Sequence, residues 1–124
     1  MKNSKHLEEK GYNMEDCIFC RILSGEIPSK KVYEDEHTYA FRDIEPQAPV
    51  HVLIVPKKHM PDVLSLDGEM AIYLLEAAKR IAKDEGIDES GFRLVTNCGT
   101  HGAQSVKHLH LHLLGGEQLG GRMA

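Results

Sequence analysis

Residues 106–116 read Val106-Lys107-His108-Leu109-His110-Leu111-His112-Leu113-Leu114-Gly115-Gly116, and their alternation decides the fold. Side chains two apart on a β-strand share a face, so this spacing predicts a strand with His108, His110 and His112 on its exposed side and Leu109, Leu111 and Leu113 on its buried side. A solvated strand face ordinarily mixes Thr, Lys and Glu, so a row of imidazoles points to chemistry. At roughly 3.3 Å per residue, His108 and His112 lie about 13 Å apart, too far to share one metal with His110. Neighbouring pairs can share a zinc. Alternatively one imidazole attacks while its neighbours position it or shuttle protons, since unperturbed His (pKa about 6.5) offers both forms near neutrality.

The chain outside this stretch is that of one soluble domain. It has 124 residues, 41% hydrophobic and 27% charged, enough for a single core. A net charge of −4 supplies no global basic field for nucleic acid, so any phosphate site must be built locally. No apolar run approaches a membrane span, and no signal-peptide core is visible at the N-terminus. Three cysteines, two of them in Cys17-x-x-Cys20, argue against a disulfide scaffold and for a reducing compartment, with the cytoplasm as the default.

Working outward, residues 1–14 are polar and read as a mobile leader, leaving residues 15–124 as the domain. Asp16 is placed to cap a short helix over Ile18, Phe19, Ile22 and Leu23 that Gly25 stops. Cys17 and Cys20 then stand one turn apart, as metal ligands, a redox pair or buried thiols. Lys31–Glu34 and Thr38–Asp43 are strand-like around an Asp35-Glu36 turn. Pro46 and Pro49 hold an extended loop before the β-rich run Val50–Val55. His51 and His59 by themselves read as structural histidines. Leu66–Glu85 is the one long helix, with an apolar stripe of Leu66, Met70, Leu74, Ala77, Ala78 and Ile81, and Gly86 at its end. Phe92–Asn97 is a further strand, leading into the Gly-rich turn Cys98–Ser105. That turn abuts the histidine row and offers backbone N–H groups and the side chains of Asn97, Gln104 and Ser105 to a phosphate. Cys98 reads as a small filler.

His108-x-His110-x-His112, with Pro46-Gln47-Ala48-Pro49-Val50-His51-Val52-Leu53-Ile54-Val55-Pro56-Lys57-Lys58-His59, Gly102–Val106 and Leu113–Gly116, resembles the signature of the histidine triad (HIT) nucleotide hydrolases and transferases. The flanking blocks are similar to the Hint branch, the AMP-phosphoramidate hydrolases, and the resemblance runs from about Asp16 to Gly116. It implies an α+β fold of the HIT type: an antiparallel, meander-like sheet with one long helix and a short N-terminal helix, joined into a homodimer. It implies that His110 attacks the α-phosphorus of a purine nucleoside 5′-phosphoramidate, forming a nucleotidyl-histidine that water hydrolyses. His112 then contacts the phosphate, His51 supports the nucleophile, and His108 orients it where no metal is held. Ser105 bonds the scissile region, and the backbone of Ala103 and Gln104 cradles the phosphate. Asn97 holds the phosphoryl side, Asp43 takes the ribose hydroxyls, and Phe19, Ile22, Ile27, Ile44 and Leu53 form the base slot. A structural zinc on Cys17, Cys20, His59 and His108 is implied as well. Where the branch often has a second glycine in the phosphate loop, this chain has Ala103. Its polar, Gly-rich C-terminal segment implies a loose leaving-group preference. Dinucleoside polyphosphate hydrolysis, and a zinc- and nucleotide-binding module with little turnover, are the alternative functions.

Overall fold

The computed structural model describes residues 16–122; the leader expected over residues 1–14 lies outside the described residues. Among the described residues the elements are α1 (Ile18–Leu23), β1 (Lys31–Glu34), β2 (Thr38–Arg42), β3 (Val50–Pro56), a 3-10 turn (Val63–Ser65), α2 (Gly68–Asp84), β4 (Phe92–Val95) and β5 (Leu111–Gly115). The strands form one antiparallel sheet in the order β1-β2-β3-β5-β4. The expected α+β class holds. The meander runs only through β1-β2-β3, after which α2 carries the chain past one position and β5 returns to fill it.

Local chemistry sets these boundaries. The β1–β2 turn is tied by Asp35, whose Oδ1 accepts from the N–H groups of His37 and Thr38 and from Thr38 Oγ1, all at 2.8 Å. The long helix starts at Gly68 and not at Leu66, because the Asp67 carboxylate caps it by accepting from Met70 N–H at 2.8 Å. Leu66 instead closes the preceding 3-10 turn onto Val63 O. At the far end Gly86, at φ +73°, donates to Lys83 O while Ile87 N–H donates to Ala82 O, and Ile87 is buried. This left-handed cap satisfies two of the last carbonyls. Asp16 does not cap α1: Cys17 is its N-cap, with Sγ accepting from Cys20 N–H at 3.3 Å.

The two faces of the sheet carry different cores. Ala40, Val52, Ile54 and Leu113 pack under Leu74, Ala77, Ala78, Ile81 and Ala82 of α2. Each large side chain fully buried there contributes about 1.5–3 kcal/mol. On the opposite face Phe41, Leu53 and Val55 pack with Phe19, Cys17 and Cys20 of α1. The registers Phe41↔Leu53, Leu53↔His112 and Val95↔His112 place His112 on this second face. His51, Leu114 and Arg93 form the next row. α1 covers the β2–β3 half of the face, which leaves the site at its β5 side.

Candidate active site

The histidine row is not a solvent-exposed strand. The β5 ladder begins at Leu111, so only His112 lies in regular strand, and His108 and His110 sit in irregular backbone held by Leu109 N–H donating to Met60 O at 2.7 Å. His108 is fully buried and His110 is 3% exposed. Phe19 causes this: its ring packs edge-on against His108 and His110, at centroid separations of 5.8 and 5.1 Å. Alternation in a strand says which residues share a face, and not what a distant helix lays over that face.

Hydrogen bonds fix the proton on each ring. His110 Nδ1 lies 2.8 Å from the His108 carbonyl oxygen, which can only accept, so Nδ1 carries the hydrogen and Nε2 keeps its lone pair. Thr96 Oγ1 donates to His110 O at 2.9 Å and pins the backbone beneath the ring. His51 Nδ1 accepts from the backbone N–H of Gln47 at 3.0 Å, so in the neutral ring Nε2 bears the hydrogen. That hydrogen meets His112 Nδ1 at 2.9 Å, which leaves His112 with its hydrogen on Nε2. The rings of His110 and His112 lie 5.0 Å apart. The site therefore pairs one imidazole offering a lone pair with a second offering an N–H. Burial lowers the pKa of His51 and of His110. Burial, followed by the neighbouring His110 and His51, lowers that of His112 to about 4. Each of these shifts favours the neutral ring.

Asp43 Oδ2 lies 3.4 Å from His51 Nε2, and Asp43 Oδ1 accepts from Glu45 N–H at 2.8 Å. Asp43, His51 and His112 are grouped closely enough for a metal ion. The amide donated to His51 Nδ1 argues against one, since a neutral ring so bonded has no lone pair left at Nε2.

A second cluster brings together the four expected metal ligands. Cys17 Sγ lies 3.2 Å from His108 Nδ1, Cys20 Sγ 3.3 Å from His59 Nδ1 and 3.6 Å from His108 Nδ1, and the two Nδ1 atoms are 3.1 Å apart. A tetrahedral zinc with Zn–S of about 2.3 Å and Zn–N of about 2.0–2.1 Å sets S···N edges of about 3.5 Å and N···N edges of about 3.3 Å. The residues fit the ion. His108 Nε2 faces the Pro56 carbonyl oxygen at 3.1 Å, so its Nδ1 presents a lone pair to the cluster. The Cys20 thiol, with help from His108 and His59 and against burial, lowers the pKa of Cys17 and so favours the thiolate that a metal takes. Four protein ligands close a tetrahedron, which is the arrangement of a structural site.

The remaining expected residues are placed as follows. Phe19 and Leu53 are buried in the cluster beneath α1, and Ile22 packs against it. Ile27 is half-buried, and Ile44 is 95% exposed. Asn97 Nδ2 donates to Gly102 O at 2.7 Å and ties the Gly-rich turn. Within that turn Ala103 N–H donates to Thr100 O and Gln104 N–H to Gly99 O, so both amides are engaged inside the loop. The Gln104 side chain is likewise engaged, donating to Pro61 O and Val106 O. Ser105 is exposed and lines a depression of about 530 Å³ beside Cys17 and His59, on the metal side. A separate cavity of about 390 Å³ opens between His51, His112, Asn97, Arg93 and the segment Glu117–Gly120. Gln47 and Thr96 were not singled out from sequence for the bonds they make. Their contributions are a backbone N–H and a hydroxyl whose direction only the folded loops define.

A family model described as HIT domain matches residues 24–119, the span that carries the sheet and the imidazole pair. The chain belongs to the HIT domain family. It is 48% identical over 113 residues to the purine nucleoside phosphoramidase of Escherichia coli strain K12, covering 89% of this chain and 95% of that protein. It is 47% identical to a 14 kDa zinc-binding protein of Brassica juncea, covering 84% and 96%. Among solved structures, a HIT family hydrolase from Clostridium thermocellum superposes with a TM-score of 0.85 at 47% identity, covering 89% of this chain and 98% of that one.

Proposed function

We propose that the chain is a hydrolase of purine nucleoside 5′-phosphoramidates that works through a nucleotidyl-His110 intermediate. The observation that carries this reading is the bond from His110 Nδ1 to the His108 carbonyl, which leaves Nε2 as a lone-pair nucleophile. In the first step Nε2 attacks the α-phosphorus, the phosphorus–nitrogen bond breaks, and the leaving amine takes a proton from solvent. In the second step water attacks the same phosphorus and gives up a proton to solvent, the bond to Nε2 breaks, and the nucleoside monophosphate leaves with His110 restored. His112 Nε2–H donates to the phosphoryl group as charge builds on it, held in that tautomer by His51. Asp43 takes the ribose hydroxyls, and the base lies on the apolar side near Phe19, Ile22 and Leu53, with Ile27 and Ile44 at its margin. Cys17, Cys20, His59 and His108 hold a zinc whose contribution is to crosslink α1 to the histidine segment.

The comparison of an adenosine phosphoramidate with a diadenosine polyphosphate tests the reaction class. Faster turnover of the phosphoramidate is expected, and the reverse result assigns the alternative substrate.

The same reading includes a homodimer in the cytoplasm. β4 is a free edge of the sheet, with Phe92 and Leu94 exposed on the side that α2 covers, and Ile72 and Leu75 of α2 are exposed on that side too. Among the described residues no helix is long and apolar enough to cross a membrane. Sedimentation of wild type against Leu94→Lys tests the edge: a dimer is expected for the first and a monomer for the second.

A further inference from the structure

We infer that the cavity beside His112 receives the leaving group, and that Arg93 selects a leaving amine that carries a carboxylate. The inference rests on the phosphoramidate reading above. The sheet face is divided at His112. On its β2–β3 side lie α1, the apolar cluster and Asp43, which together suit a nucleoside. The cavity of about 390 Å³ starts at Gln47 and His51, passes His112 and Leu114, and runs on to the β4 side, where Val95, Asn97 and Arg93 line it with the C-terminal segment as its outer wall. A phosphorus held at His110 and His112 with its nucleoside on the first side directs its other substituent into the second.

Among the described residues Arg93 is the one lysine or arginine lining that cavity. It stands in the same row of the face as Leu114 and His51, one residue before Leu94 turns to the α2 side. Its Nη2 donates to the Gly120 carbonyl, which braces the C-terminal segment as the outer wall. Within one protomer, among the described residues, that carbonyl is the one polar partner of its side chain and no carboxylate bridges it. Glu117 also lines the cavity but is exposed, while Arg93 is half-buried. The less solvated charge is therefore the guanidinium, whose remaining N–H donors match the two oxygens of a carboxylate. On this inference the tail serves as a wall and the strand residue behind it supplies the choice, where the tail alone implied a loose preference.

The test uses two AMP phosphoramidates of equal shape, one with β-alanine and one with β-alaninamide as the leaving amine. For wild-type protein, kcat/KM is expected to favour the carboxylate by about tenfold or more. Arg93→Gln is expected to bring that ratio to within about twofold of one, and Arg93→Lys to retain part of it. A wild-type ratio of one or below overturns the inference without any variant. An unchanged ratio in a folded Arg93→Gln protein, with both substrates slowed equally, overturns it too, because it makes Arg93 merely structural. Failure of wild type to cleave either compound would instead reject the phosphoramidate reading itself.

Discussion

His51 Nε2 donates to His112 Nδ1 at 2.9 Å, and it can do so only because the Gln47 amide occupies the other nitrogen of His51. Two rings on neighbouring strands are thereby locked into single tautomers, and His112 Nε2–H is left facing outward. Replacing His51 by Leu removes the donor and frees His112 to flip or switch tautomer. The expected result is a kcat lower by about 10–100-fold with a much smaller change in KM, measured on an adenosine phosphoramidate.

The depressed pKa values carry a pH signature in stability. The folded value of His112, about 4, lies below the free value of about 6.5, so the folded state binds fewer protons than the unfolded chain between them. Stability from this group is intact above about 6.5, erodes as pH falls, and is fully lost below about 4. Denaturant midpoints of wild type are therefore expected to fall more steeply across that window than those of His112→Asn. Parallel curves would remove His112 from this account.

The Cys2His2 cluster ties α1 to the histidine segment, so its loss is expected first in stability. Cys20→Ser should lower zinc content towards zero and the thermal midpoint by about 10 °C or more. Elemental analysis with scanning calorimetry checks both, and full zinc occupancy in the variant would contradict the ligand set.

The Gly-rich turn gives two substitutions of opposite sign. A Cβ at Gly102 would sit 2.4 Å from Cys98 O and 2.8 Å from Cys98 N, both backbone atoms that cannot turn aside. Gly102→Ala is expected to cost about 2 kcal/mol or more and to disturb the bond from Asn97. Ala103 holds φ +59°, a left-handed conformation that costs a side chain about 1–2 kcal/mol. Ala103→Gly should gain about 0.5–1 kcal/mol after the added freedom of the unfolded chain is subtracted. Equilibrium unfolding measures both.

Much of this was legible in the sequence because it is local. The alternation from Leu111 to Leu113 put His112 on the face opposite those two leucines, and the periodicity of Leu74, Ala78 and Ile81 placed α2. The Cys17-x-x-Cys20 spacing became a ligand set once family resemblance supplied His59 and His108. What sequence did not show depends on distant chain. The burial of His110 comes from Phe19, 91 residues earlier. The use of the Ala103 and Gln104 amides comes from the conformation of the turn, and the position of β5 between β3 and β4 from long-range pairing. The helix began two residues late for a local reason: Asp67 outcompetes Leu66 because a carboxylate can accept the orphan amide of Met70.

The central claim is that His110 Nε2 becomes bonded to phosphorus. Rapid-quench intact-protein mass spectrometry during turnover of an adenosine phosphoramidate, followed by peptide mapping, measures it directly. The account predicts an acid-labile adenylyl adduct confined to His110 and absent from His110→Ala. Undiminished turnover with no adduct on any histidine, or an adduct on His112, would contradict it.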